Sequence, residues 1–245
     1  RKTLGQRGGY AVDMMLMTAA IQASFDYSSE EDCAEKFTAA SRLAPLLVAL
    51  FANSPLRHGK PAGSLSFRST VWTDTDGSRC GLRPFMLDGT FSYRRYAEWA
   101  LDAPLLFLRR DGRYLTPLLT FRQLLKEGFL GKPALMSDWV DHISTLFPEV
   151  RLKHVIEVRA ADSCGAAMTG GLCAMWRGLL YDKAARTEAS QLLGPLSFEE
   201  HRALFDLARA EGLRGRHRGH ALAEPAREMI ELARYGLSRL DPGDA

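Results

Sequence analysis

The sequence is poor in the residues that most readily announce a site. Its four cysteines, Cys33, Cys80, Cys164 and Cys173, form no C-x-x-C pair, so the ligand spacing of a zinc centre is missing. They are too sparse in 245 residues for a disulfide scaffold. Reduced thiols are expected, and with them a cytoplasmic setting. The six histidines are scattered; one H-x-x-H spacing falls at His217 and His220, inside the basic run, and no H-E-x-x-H motif occurs, so a histidine metal centre is not expected. No apolar run approaches the ~20 residues needed to cross a bilayer. The stretch Leu43–Ala52 is too short and holds Pro45, so no membrane partner is expected. Charge of one sign is also lacking. With 32 basic against 29 acidic residues, nothing points to nucleic acid as a partner. The segment Gly59-Lys-Pro-Ala-Gly-Ser64 does not match the phosphate-loop pattern and reads as a flexible loop. No repeat, low-complexity tract or signal peptide is evident. Residue 1 is Arg rather than Met, and the chain is expected to begin after processing, cloning or truncation.

What is present suits a folded core. The length allows one large domain or two small ones. Residues 1–9 read as a basic, glycine-rich loop. Asp13–Phe25 is apolar and fits a buried strand or a helix. Ser28-Ser-Glu-Glu-Asp32 is a hydroxyl cap followed by acids, and predicts a helix over about 29–52. Residues 54–64 form a loop. Leu65–Trp72 alternates like a strand. Further helices are expected over Phe91–Leu101, from Thr120, and from Ser137 to about Leu146. Asp111-Gly112 predicts a hairpin between 105–109 and 113–115. Val150–Arg159 alternates over its whole length and predicts one strand with a charged face. The remainder, about 173–240, reads as helices broken at Gly194-Pro195 and at 212–220. Strands followed by helices give an α+β class, with a sheet-containing portion at 1–172 and a helical region at 173–245 packed on the same domain.

Two charged groupings could carry chemistry. On a strand, Glu157 and Arg159 share a side, and Asp162 follows. Such a pair could hold a metal or a zwitterionic amino acid, or be a surface ion pair contributing only ~0–1 kcal/mol. Arg68 and Trp72 would share a face of the preceding strand, which empties into a loop holding Asp74, Asp76 and Arg79. This is either a polar site with an oxygen-ligand pair suited to Mg²⁺ or an Asp-rich turn before Gly77. The basic run Arg214–His220 could touch phosphate or be a solvated interhelical loop. The cysteines could include a nucleophile or be incidental.

Several ordered stretches resemble the plant and proteobacterial type of glutamate–cysteine ligase. They are Asp13-Met-Met-Leu-Met-Thr18, Ile21-Gln22 with Phe25–Glu30, Ala49–Pro55, Arg68-Ser69 with Val71–Asp76, Phe147-Pro-Glu-Val-Arg-Leu-Lys153, Glu157-Val-Arg-Ala-Ala-Asp162 and Gly178-Leu-Leu-Tyr-Asp182. The resemblance implies a mostly antiparallel, curved sheet of glutamine-synthetase-like type with flanking helices and a helical C-terminal region. It implies ATP-dependent joining of the glutamate γ-carboxylate to cysteine, with Mg²⁺. ATP would phosphorylate the carboxylate and the cysteine amine would displace phosphate. Related readings are a γ-glutamyl ligase using another amine, or a non-catalytic subunit. Carried over, Arg68, Glu157 and Arg159 become catalytic, with Glu157 on the metal or nucleotide side. Gln22, Trp72, Thr18, Asp74 and Arg79 become substrate-binding. Ser24 stands where the family has Asn, and Met17 where it often has Arg. Relatives also carry a long N-terminal half supplying metal ligands and much of the nucleotide cleft, so that half is an expected partner in cis or in trans.

Overall fold

The computed structural model describes residue 5 and residues 7–240. The expected basic loop at 1–9 therefore lies partly outside the described residues, as does the end of the 173–245 region. The chain is α+β. In order it forms α1 (Ala11–Met17), β1 (Ala20–Phe25), α2 (Glu30–Phe51), β2 (Leu56–Arg57), β3 (Lys60–Pro61), α3 (Phe67–Val71), α4 (Tyr93–Asp102), β4 (Leu108–Arg110), β5 (Arg113–Leu115), α5 (Phe121–Glu127), α6 (Met136–Ser144), β6 (Val150–Leu152), β7 (Ile156–Asp162), α7 (Ala166–Tyr181), α8 (Lys183–Ala189), α9 (Phe198–Glu211), β8 (Arg216–His217), β9 (His220–Ala221) and α10 (Ala223–Leu240).

The central sheet is antiparallel with order β1-β7-β6, and the other pairings are two-stranded. The sheets are thus small, and the mostly antiparallel curved sheet expected above is not formed among the described residues. One face of the central sheet is apolar. Ala23 and Phe25 of β1 and Ile156, Val158 and Ala160 of β7 are buried in one core with Leu43, Leu46 and Leu47 of α2 and Trp176 of α7. The opposite face is polar and carries Gln22 and Ser24, both exposed, beside Glu157 and Arg159. Strand alternation thus separates core from site.

Two strand expectations are corrected. Val150–Arg159 is a tight hairpin rather than one strand: β6 ends at Leu152, β7 starts at Ile156, and Arg151 pairs across it with Glu157. Both arms carry the same alternation, so periodicity could not reveal the turn. The stretch containing Arg68 is a helix, α3, continued by a 3-10 turn at Trp72–Asp74. Ser66 caps it, its hydroxyl accepting from the Ser69 N–H at 3.1 Å.

Other elements follow the sequence closely. Ser29 caps α2 through the Asp32 N–H at 3.1 Å, and Thr120 with Gln123 closes a capping box on α5. The β4–β5 hairpin turns at Asp111 and Gly112, with φ of 50° and 73°, the pair of positive values that this two-residue turn requires. The division at 172/173 falls inside α7. This helix crosses α10 closely: a Cβ on Gly178 would lie 2.0 Å from the Ala233 carbonyl oxygen.

Candidate functional site

Asp162 at the end of β7 sets the position of α3. Its buried carboxylate accepts from the Asn53 N–H at 2.9 Å, the Ser54 hydroxyl at 2.7 Å and the Ser66 hydroxyl at 2.8 Å. The Ser54 hydroxyl oxygen in turn accepts from the Arg68 N–H at 2.9 Å. One carboxylate therefore ties the end of α2, the cap of α3 and the sheet together, and aims Arg68 across β7.

Arg68 is 5% exposed, and its guanidinium donates to the Arg159 carbonyl. Burial pushes its pKa down to about 10, Asp162 opposing and the Arg159 charge adding to the fall. Trp72 lies one helical turn on, its ring centre 6.0 Å from the Arg68 guanidinium carbon and 5.9 Å from that of Arg159. Arg68 and Trp72 thus meet as expected, but through helical i, i+4 spacing rather than strand alternation.

Arg159 is the centre of the group. It donates to Gln22 Oε1 at 2.9 Å and to Glu157 Oε2 at 3.0 Å. The Phe147 ring, 5.3 Å from that of Trp72, also stands 5.9 Å from the Arg159 guanidinium carbon. Arg151 donates to the same Glu157 oxygen at 2.7 Å. Burial works against the Glu157 carboxylate, yet Arg151 and Arg159 together hold it below the usual range. Burial and the neighbouring Arg151 charge both lower Arg159.

The remaining candidates lie elsewhere. Thr18 ends α1, its hydroxyl donating to the Met14 carbonyl at 2.8 Å. Asp74 is exposed and accepts from the Gly9 N–H at 3.0 Å. Arg79 is fully buried. It donates to Asp76 at 2.7 Å, to the Thr145 carbonyl at 3.2 Å and to the Pro104 carbonyl. Arg7 also reaches Asp76, at 2.9 Å. The Asp-rich stretch therefore clasps the segment at 7–10 and the loops at 104 and 145.

Two residues of this region had no role assigned from sequence: Arg151 and Glu149. Both sit in Phe147–Lys153, a stretch noted above without a function. The signal for Arg151 was its place opposite Glu157, visible only once the hairpin is known. Glu149 lies where two cavities meet. A small one, about 10 Å³, is lined by Arg68, Trp72, Phe147, Glu149 and Arg159. A larger one, about 360 Å³, is lined by Trp72, Glu149, Arg83, Arg202, Phe205 and Arg209 among others.

Metal and thiol chemistry find little support among the described residues. No three His, Cys, Asp or Glu side chains cluster as a metal cage there, and Glu157 is gripped by two guanidinium groups. The described residues alone therefore do not fit a Mg²⁺ site. Burial pushes the Cys33 and Cys80 thiols up to about 12, so neither is an activated nucleophile. No described helix is long and apolar enough to cross a membrane.

Arg159 and Gln22 on the polar face of the sheet, with Arg68 and Trp72 from α3 and its 3-10 turn, form a cluster whose chemistry suits carboxylates or phosphates. The model of the glutamate–cysteine ligase family 2 (GCS2) matches residues 1–243, and the chain belongs to that family. It is 38% identical to a chloroplastic glutamate–cysteine ligase of Medicago truncatula, covering 98% of this chain and 48% of that protein. It is 40% identical to the one from Brassica juncea and 39% to the one from Arabidopsis thaliana, covering 98% of this chain and 47% of each of those proteins. The chain thus spans about half the length of these relatives. Their chloroplastic names overturn the cytoplasmic expectation, which rested on free thiols. Any reducing compartment allows those.

Proposed function

We propose that this chain is the arginine-bearing part of a ligase that joins the γ-carboxylate of L-glutamate to L-cysteine at the expense of ATP. The observation that carries the reading is Arg159, a buried guanidinium fixed by Gln22 and Glu157 and flanked by Trp72 and Phe147 on the polar side of the sheet. Phosphoryl transfer to a carboxylate builds negative charge on oxygens, and acceleration comes from cations already in place. Arg159 and Arg68 are such cations. Glu157 holds Arg159 in position, and Trp72 walls the amino-acid pocket. Thr18, Asp74 and Arg79 act on substrate through the loops they fix. Any Mg²⁺ the reaction uses would take its ligands, with much of the nucleotide cleft, from the other half of the enzyme, since the described residues do not fit a metal site. The edges of β1 and β6 are where a larger, curved, glutamine-synthetase-like sheet would continue. Residues 1–172 would then be the core portion and 173–245 its helical buttress.

The test is ADP release by the chain joined to, or mixed with, the half encoded upstream. Release should require glutamate and cysteine together. Release indifferent to cysteine would overturn the reading in favour of another amine acceptor.

A further inference from the structure

Three buried polar atoms with no protein partner belong to residues that line the small cavity beside β7. They are the Nε–H of Arg68, the Nε1–H of Trp72 and Oε2 of Glu149. Buried polar groups are ordinarily satisfied, and each that is not costs free energy. Three on residues around one 10 Å³ space, room for one water-sized group, mark a recognition point. Two are donors and one is an acceptor. Glu149 and Trp72 also line the 360 Å³ cavity, so whatever enters the small space extends into the larger one.

We propose that Glu149 is the ammonium acceptor of an α-amino-acid subsite whose carboxylate donors are Arg68 and Trp72. One carboxylate oxygen of the ligand enters the small cavity and accepts from Arg68 Nε–H and Trp72 Nε1–H. The adjacent ammonium stays at the mouth and donates to Glu149. The side chain lies in the larger cavity. An α-amino acid is the smallest common ligand presenting an anion and a cation one carbon apart. A bridging water would satisfy the same atoms but would not need a charged carboxylate. Burial raises the Glu149 carboxyl, so its charged form gains from an incoming cation. The proposal rests on the ligase reading only for the choice of ligands, glutamate or cysteine.

The test is calorimetric titration of the 245-residue chain with L-glutamate and L-cysteine. Their deaminated counterparts, glutarate and 3-mercaptopropionate, are titrated alongside. The occupant of the subsite should bind roughly tenfold or more tighter than its deaminated counterpart, as expected for one charge-assisted hydrogen bond. Glu149→Gln should bring the two within about twofold while leaving the deaminated acid unchanged. Trp72→Phe, which keeps the ring and removes the N–H, should weaken both members of the pair equally. Preference retained in Glu149→Gln, or no amino-acid binding by the folded chain, would overturn the subsite. Glu149-dependent preference together with cysteine-independent ADP release would keep the subsite and remove the ligase reading.

Discussion

A buried histidine ties a single residue to the acid stability of this fold. His142 Nε2 lies 2.7 Å from the Ala100 carbonyl oxygen, so that nitrogen carries the proton. Nδ1 is buried with no partner. Burial pushes the pKa from 6.5 down to about 4, with the Arg79 charge adding to the fall. The folded value lies below the unfolded one. The stability contributed by neutral His142 is therefore present above pH 6.5 and is lost as pH falls toward 4. The linkage is on the order of 3 kcal/mol. His142→Gln keeps a donor for the Ala100 carbonyl and cannot titrate. Urea midpoints taken from pH 7 to 4 should fall less steeply for this variant than for the parent. Equal slopes would show that other groups carry the acid loss. The lesson applies to the site as well. Arg68 and Arg79 look alike in sequence, yet Arg79 spends its donors on Asp76, Thr145 and Pro104. Arg68 keeps Nε–H buried and without a protein partner.

At the scale of elements, the α7–α10 crossing is the least forgiving contact. Gly178 and Gly236 let the two backbones meet: a Cβ on Gly236 would stand 2.3 Å from the Gly178 carbonyl oxygen, while one on Gly178 meets Ala233. Both obstacles are backbone and cannot turn aside. Gly178→Ala should therefore lower stability by at least ~1–3 kcal/mol, read as a drop in melting temperature, despite the better helix propensity of alanine. An unchanged melting temperature would mean that α10 shifts freely along α7. Nothing in the spelling of Gly178-Leu-Leu-Tyr-Asp182 showed this, because the glycine is needed by a partner far along the chain. Elements with local causes were legible: the cap at Ser29, the capping box at Thr120 and the turn at Asp111-Gly112 each depend on neighbours in sequence. The Val150–Asp162 hairpin was not, since its two arms continue one alternation. Arg68 and Trp72 were paired correctly through the wrong geometry, because spacing by four serves a helix face as well as a strand face. Glu149 escaped because it matters only where two cavities meet.

For the whole molecule, the question is what the exposed apolar side chains are for. Val12, Leu16 and Met17 of α1 are 49%, 57% and 38% exposed, and Met136 and Val140 of α6 are 76% and 56% exposed. The pairs 12/16 and 136/140 are one helical turn apart, so each helix presents a stripe rather than scattered residues. The α1 stripe ends just before β1, an edge strand of the central sheet whose outer face carries Gln22. Edge strands and apolar stripes both invite a partner. The chain matches about half of its relatives' length, so the occupant tested for these surfaces is the half of such a ligase that this chain does not match. The 245-residue chain alone should bind a hydrophobic dye such as ANS and sediment in part as oligomers. Co-expression with that unmatched half should suppress both. Val12→Ser with Leu16→Ser should reduce dye binding by the isolated chain, and should also weaken its assembly with that half while leaving its melting temperature within a few degrees, because neither side chain is in the core. Assembly undiminished by the double substitution would place the joint elsewhere, with the α6 stripe as the next surface to alter.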